Sequence, residues 1–125
     1  MRVMVVDDDS RMRQVLARLL ACGGFDCVDE VGDGEEALAR LQEAHVDLIV
    51  TDCHMPRMDG IALVTALRAK GDLTPVIMLS GHDDPQQVVR AIRAGVNNYV
   101  PKPIHPENFF EKIRQTLGAV RAVAI

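Results

Sequence analysis

Short apolar runs alternate along the chain with longer segments in which apolar residues recur every three or four positions. The first run, residues 3–6, stops at Asp7, Asp8 and Asp9, with Ser10 after them. A continuous apolar run of this length suits a strand covered on both faces. Met12, Val15, Leu16, Leu19 and Leu20 then keep helical spacing; Asp9 or Ser10 stands where a cap belongs, and Gly23-Gly24 where the helix ends. Residues 25–31 alternate in polarity, and Asp26, Asp29 and Glu30 mark them as an edge strand. Gly32-Asp33-Gly34 is a turn, Glu35 and Glu36 favour the positive end of a helix, and Ala37, Leu38 and Leu41 form its apolar stripe.

Leu48, Ile49 and Val50 make a third buried run that ends in the carboxylate of Asp52. Pro56 turns the chain, and Asp59-Gly60 leads into a helix carrying Ile61, Leu63, Val64 and Leu67. Residues 75–79 form a fourth run, ending at Ser80-Gly81. Asp83-Asp84-Pro85 fits a helix start, with Val88, Val89 and Ile92 expected to face inward and Gly95 to close the helix. Residues 98–100 read as a short fifth strand, and Pro101-Lys102-Pro103 bends the chain. Pro106-Glu107 opens the last helix, with Phe109, Phe110, Ile113, Leu117 and Val120 expected to be buried.

Strand and helix thus alternate, with strand starts about 20–30 residues apart, which argues a parallel sheet with helices on both faces. Right-handed crossovers bring all the carboxyl ends to one rim, where such sheets place their chemistry. No repeat, linker or low-complexity stretch divides the chain, so residues 1–118 are expected to be one domain. Residues 119–125 are mildly apolar: an extension of the last helix, a partner contact, or the point where a longer protein was cut.

With 48% hydrophobic and 26% charged residues, the 125-residue chain has the balance of a soluble domain with its own core. A net charge of −4 implies no general affinity for nucleic acid or an anionic membrane, and with 3% aromatic residues and no Trp the chain lacks stacking platforms for single strands. No signal peptide and no membrane-spanning run is present, so the expected location is the cytoplasm. Cys22, Cys27 and Cys53 form no Cys-x-x-Cys pair and are expected to be buried or semi-buried thiols in a reducing compartment.

The expected rim collects Asp7 and Asp8 from the first strand, Asp52 from the third, Ser80 from the fourth and Lys102 from the fifth. Three crowded carboxylates repel one another more than one lysine offsets. A hard divalent cation with oxygen ligands, Mg²⁺, would relieve them. Phosphoryl transfer needs such positioning and charge neutralisation more than it needs acid–base groups. Asp52 is then a plausible nucleophile that carries an acyl phosphate, and Gly81 leaves room for the approaching group. Asp9 reads as a helix cap. His54 and His82, two residues beyond Asp52 and Ser80, border the pocket and are candidates for tuning the lifetime of the acyl phosphate. His45 and His105 read as surface or loop residues.

The set Val5-Val6-Asp7-Asp8, Asp47 to Asp52 with Met55-Pro56-x-Met58-Asp59-Gly60, Met78-Leu79-Ser80-Gly81 and Ala94-Gly95-Val96-x-x-Tyr99-Val100-x-Lys102-Pro103 closely resembles the receiver domains of bacterial two-component response regulators. The resemblance implies a doubly wound five-stranded sheet of order 2-1-3-4-5, flavodoxin- or CheY-like. It implies that Asp52 is the phosphoacceptor and that Asp8, Asp52 and the backbone carbonyl of His54 ligate Mg²⁺, with Asp7 acting through a bound water. It implies that Lys102 pairs with the phosphoryl group and precedes a cis proline, that Ser80 and Tyr99 are switch residues, and that the output face is the fourth helix, the Tyr99 strand and the last helix. The implied partners are a histidine kinase or phosphotransfer protein and a downstream protein target or an output domain outside this chain, with room for dimerisation on phosphorylation. Such a domain is no enzyme in the ordinary sense, since it catalyses only its own phosphorylation and dephosphorylation. The alternatives are a receiver fragment of a longer regulator and a phosphorylation-independent interaction module. A phosphatase with an aspartyl nucleophile, haloacid-dehalogenase-like, would need a carboxylate where His54 stands.

Overall fold

The structure is a computed structural model that describes residues 1–81 and 84–124, with side chains through residue 118. His82 and Asp83 lie outside the described residues, as does the side chain of Val120. The chain runs β1 Arg2–Val6, α1 Ser10–Cys22, β2 Cys27–Val31, α2 Gly34–Glu43, β3 Leu48–Asp52, α3 Gly60–Ala69, β4 Val76–Ser80, α4 Pro85–Ala94, β5 Asn98–Pro101 and α5 Pro106–Ala124. All strand pairings are parallel, in the order β2-β1-β3-β4-β5. This is the doubly wound, CheY-like sheet that the alternation and the resemblance lead one to expect, with β2 at an edge. The register Val6 to Thr51, Asp52 to Leu79 and Ser80 to Pro101 brings the strand ends to a common rim.

Because successive side chains point to opposite sheet faces, each strand feeds two cores. Val3, Val5, Leu48, Val50, Ile77, Leu79 and Val100 pack against Leu16 and Leu20 of α1 and Phe109 and Ile113 of α5. Met4, Val6, Ile49, Val76 and Met78 pack against Ala37 of α2, Leu63, Val64 and Leu67 of α3, and Ala91 of α4. β3 and β4 are buried along their whole length, as their unbroken apolar runs require.

The caps follow from the residue types at the helix starts. Asp9 accepts from the Arg11 amide, Asp33 from Glu36, Asp59 from Ala62 and Asp84 from Gln86, each relieving a first-turn donor that the helix leaves unmade. Gly95 ends α4 with φ 109°, a left-handed conformation that favours glycine.

Four expectations from the pattern need correcting. Val15 is 59% exposed: Leu16 and Leu20 take the sheet-facing stripe of α1, and Val15 falls beside it. Val89 and Ile92 are 46% and 61% exposed, not inward. The stripe of α4 that meets the sheet runs through the buried Gln87 and Ala91, and two positions along a helix put Val89 on the far side from Gln87. Cys22 and Cys27 are exposed free thiols, because one ends α1 and the other starts an edge strand; Cys53 is buried as expected. Phe25 precedes β2 instead of opening it and is buried against the α1 face.

Candidate functional site

Asp52 is the last residue of β3, and the backbone around it is tightly held. The Cys53 amide donates to the Leu79 carbonyl at 2.9 Å, extending the β3–β4 ladder one residue past the strand. The same amide lies 2.9 Å from Asp52 Oδ1. The Thr51 hydroxyl donates to the Asp52 carbonyl at 3.0 Å. On the other side, α3 begins directly against this turn: the Gly60 amide donates to the Cys53 carbonyl at 2.9 Å. A Cβ on Gly60 would sit 2.4 Å from the Asp52 carbonyl oxygen, so only glycine fits there.

Asp7, one residue past β1, is 1% exposed. Its amide donates to the Val31 carbonyl at 3.1 Å, and its own carbonyl accepts from Arg13 Nη1 of α1 at 2.6 Å. Its Oδ1 accepts from the Asp9 amide at 2.9 Å, whereas Oδ2 is buried with no hydrogen-bond partner. Burial pushes the Asp7 carboxyl above the usual carboxylate range; the Asp9 amide opposes this, the charges of Asp52 and Asp8 add to it, and Lys102 opposes it. Asp8 stands beside Asp7 and is exposed. One oxygen from each of Asp7, Asp8 and Asp52 lies within 4.8 Å of the others.

Lys102 closes the site from β5. Its amide donates to the Ser80 carbonyl at 2.7 Å, which fixes its backbone beside the end of β4. From there Lys102 Nζ reaches Asp52 Oδ1 at 3.2 Å, with both side chains mostly buried. The Lys102-Pro103 peptide is cis, as the resemblance implies. An oxygen-only donor set with an orphaned buried carboxylate oxygen fits a hard divalent cation. Cys53 offers no rival nucleophile: burial, reinforced by the charges of Asp59 and Asp52, pushes its thiol up to about 11.

Beside this cluster stands a second polar group. Ser80, at the end of β4, is 1% exposed. Gln87 of α4 donates from Nε2 to Ser80 Oγ at 2.8 Å and to Tyr99 Oη at 2.7 Å. The structure therefore gathers Asp7, Asp8, Asp52, Lys102 and Ser80 at one rim and joins Ser80 to Tyr99. Gly81 is exposed; an added Cβ would meet only Lys102 Cδ at 3.9 Å, so protein packing does not demand glycine there. His54 is exposed, as are His45 and His105, and His82 lies outside the described residues. The pattern reading missed Gln87 and Arg13. A polar residue four positions before Ala91, on the stripe that continues to Ala94, is the signal for Gln87, but the bulkier Val88, Val89 and Ile92 draw attention to the wrong face. Arg13 looks like any exposed helical arginine until its hydrogen bond to the Asp7 carbonyl is seen.

Residues 3–114 match the family model described as "Response regulator receiver domain". The chain belongs to this family. The receiver is 40% identical over 122 residues to the chemotaxis protein CheY of Pseudomonas aeruginosa, spanning 96% of this chain and 98% of that one. It is 37% identical over 121 residues to CheY1 of Helicobacter pylori, spanning 94% and 98%. A match to the response regulator MprA of Mycobacterium leprae is 37% identical and covers 94% of the receiver but 51% of MprA. Among solved structures, CheY4 of Vibrio cholerae superposes with a TM-score of 0.85 at 32% identity, covering 92% and 97% of the two chains. A CheY-like receiver domain from Methanospirillum hungatei gives 0.87 at 26% identity, covering 94% of each.

Proposed function

We propose that the receiver is the phosphoacceptor switch of a two-component phosphorelay. Asp52 takes the phosphoryl group from a phosphohistidine of a histidine kinase or phosphotransfer protein: the P–N bond breaks, a carboxylate O–P bond forms, and the histidine leaves. The observation that carries this reading is the Lys102 ammonium 3.2 Å from Asp52 Oδ1, beside two further carboxylates. A lone carboxylate is a poor acceptor for an anionic phosphoryl group, because the charges repel. Here Lys102 places one positive charge where the phosphoryl oxygens arrive. Asp7, Asp8, Asp52 and the His54 carbonyl would hold Mg²⁺, which supplies the remaining charge neutralisation when bound. Ser80 gives a hydroxyl to a phosphoryl oxygen, and Gly81 keeps the approach open. His54 and His82 tune how fast water removes the group.

The signal passes from Ser80 and Tyr99 to α4, β5 and α5, and from there to a downstream protein in the cytoplasm, or to the receiver's own dimer partner. MprA, in which the matched segment is about half the protein, supports a second reading in which the same switch drives an attached output domain. Acetyl phosphate with Mg²⁺ tests the proposal, since the native chain should gain about 80 Da, one phosphoryl group. The Asp52→Asn chain should gain nothing. No gain in the native chain would favour the interaction-module reading, and turnover of a phosphomonoester the phosphatase reading.

A further inference from the structure

Ser80 and Tyr99 lie on neighbouring strands but are not register partners: Tyr99 pairs with Met78, and Ser80 with Pro101. Their side chains share the sheet face that α4 covers, because positions two apart on a strand point the same way. Gln87 comes down from α4 onto this face and is 8% exposed. An amide nitrogen has two hydrogens, and here one goes to each hydroxyl, at 2.8 and 2.7 Å. The Gln87 amide and Ser80 are buried and Tyr99 is half-buried, so an amide hydrogen that loses its acceptor is costly, most of all on the Ser80 side.

The rest of α4 shows what this contact holds. Its C-terminal end is fixed by Arg68, which donates to the Gly95 carbonyl from Nη2 at 2.9 Å and from Nε at 3.2 Å. Arg68 also donates to Asn97 Oδ1 at 3.1 Å, and Asn97 in turn accepts from the Val76 amide. Towards the other end of α4, Gln86, Val89 and Arg90 are exposed and Gln87 reaches inward. Among the described residues, Arg68 thus pins the C-terminal end of α4, and near the other end the Gln87 amide reaches the sheet.

We propose that Gln87 is a positioning residue that joins the Ser80 hydroxyl, the Tyr99 hydroxyl and the N-terminal half of α4 into one mechanical unit, so that they move together. That the unit moves when Asp52 is phosphorylated rests on the function proposed above; that it is a unit does not.

Tyr99 is the sole tyrosine and the chain has no Trp, so one 3-fluorotyrosine ¹⁹F resonance reports this ring alone. Without any phosphodonor, Ser80→Ala should move that resonance in the native background and move it little in a Gln87→Met background, where the amide is replaced by an apolar side chain of similar length. Equal displacement in both backgrounds would overturn the proposal. Gln87→Ala, which suits a helix interior, repeats the cycle if the Met variant is not folded by circular dichroism. With acetyl phosphate and Mg²⁺, the Gln87→Met chain should still gain the phosphoryl mass while its ¹⁹F response falls at least twofold below native. A full response at equal mass gain would also overturn the proposal. A native chain that gains no mass defeats the phosphoacceptor reading instead, and the first cycle then decides Gln87 by itself.

Discussion

The behaviour of the rim turns on a single atom, Asp7 Oδ2, which is buried without a partner beside two more carboxylates. Burial raises the Asp7 carboxyl in the folded chain. A raised acid holds its proton better folded than unfolded, so its contribution to stability is complete below the ordinary carboxylate range and is lost as pH rises through the raised value. Ionising Asp7 in the metal-free receiver therefore costs stability, because its buried Oδ2 has no partner to offset the charge. Asp7→Asn keeps the acceptor for the Asp9 amide and turns the orphaned oxygen into a donor facing carboxylates. It should stabilise the metal-free chain by about 1–3 kcal/mol in urea unfolding at neutral pH. Mg²⁺ should raise the native Tm at neutral pH, by the equivalent of about 2.7 kcal/mol at a hundred times its dissociation constant. That gain should fade as pH falls through the raised Asp7 value and should be much reduced in Asp7→Asn. Melts with a Mg²⁺ effect independent of pH would contradict this account of the residue. From the sequence, Asp7, Asp8, Asp52, Ser80 and Lys102 were readable because each stands at the carboxyl end of an apolar run. Gln87 and Arg13 were not, because their partners, the Ser80 and Tyr99 hydroxyls and the Asp7 carbonyl, are set only by how helices lie on the sheet.

At the scale of elements, α3 and α4 are placed by opposite means. α3 is fixed by contact: its first residue, Gly60, touches the Asp52 carbonyl so closely that a methyl group does not fit. Gly60→Ala should cost about 1–3 kcal/mol, as an overpacked core does, and should slow phosphorylation by shifting Asp52. Urea unfolding and the rate of mass gain check both, and an unchanged rate would place the strain away from Asp52. α4 instead rests on small Ala91 and polar Gln87 and leaves Val89 and Ile92 in solvent. Val89→Ser with Ile92→Ser should therefore change stability by no more than about 0.5 kcal/mol per site, as surface substitutions do. A loss of several kcal/mol would mean that these side chains are core after all. The error in reading α4 has a physical source: hydrophobicity marks what a helix face would bury, and this helix keeps apolar residues on a face that its own sheet does not cover. The edge position of β2, by contrast, was legible because Asp26, Asp29 and Glu30 cannot all be covered; Asp29 is satisfied sideways, by Arg2 at 2.9 Å.

For the whole molecule, the strand order and the common rim follow from alternation and handed crossovers, and the motifs at the strand ends name the family before any coordinate is seen. Among the described residues no helix is long and apolar enough to cross a membrane. What the fold achieves is to bring side chains from distant parts of the chain, Asp7, Asp52 and Lys102, into one charged site that the sequence separates widely. On the proposed function, this crowding, relieved by a divalent cation and Lys102, makes Asp52 the residue that accepts phosphate. Borohydride reduction of the acyl phosphate, after acetyl phosphate treatment with Mg²⁺ or with chelator, locates the modified residue by peptide mass. Homoserine is expected at position 52, formed with Mg²⁺ and scarcely without it; homoserine at position 7 or 8, or equal yields in chelator, would overturn the phosphoacceptor role of Asp52.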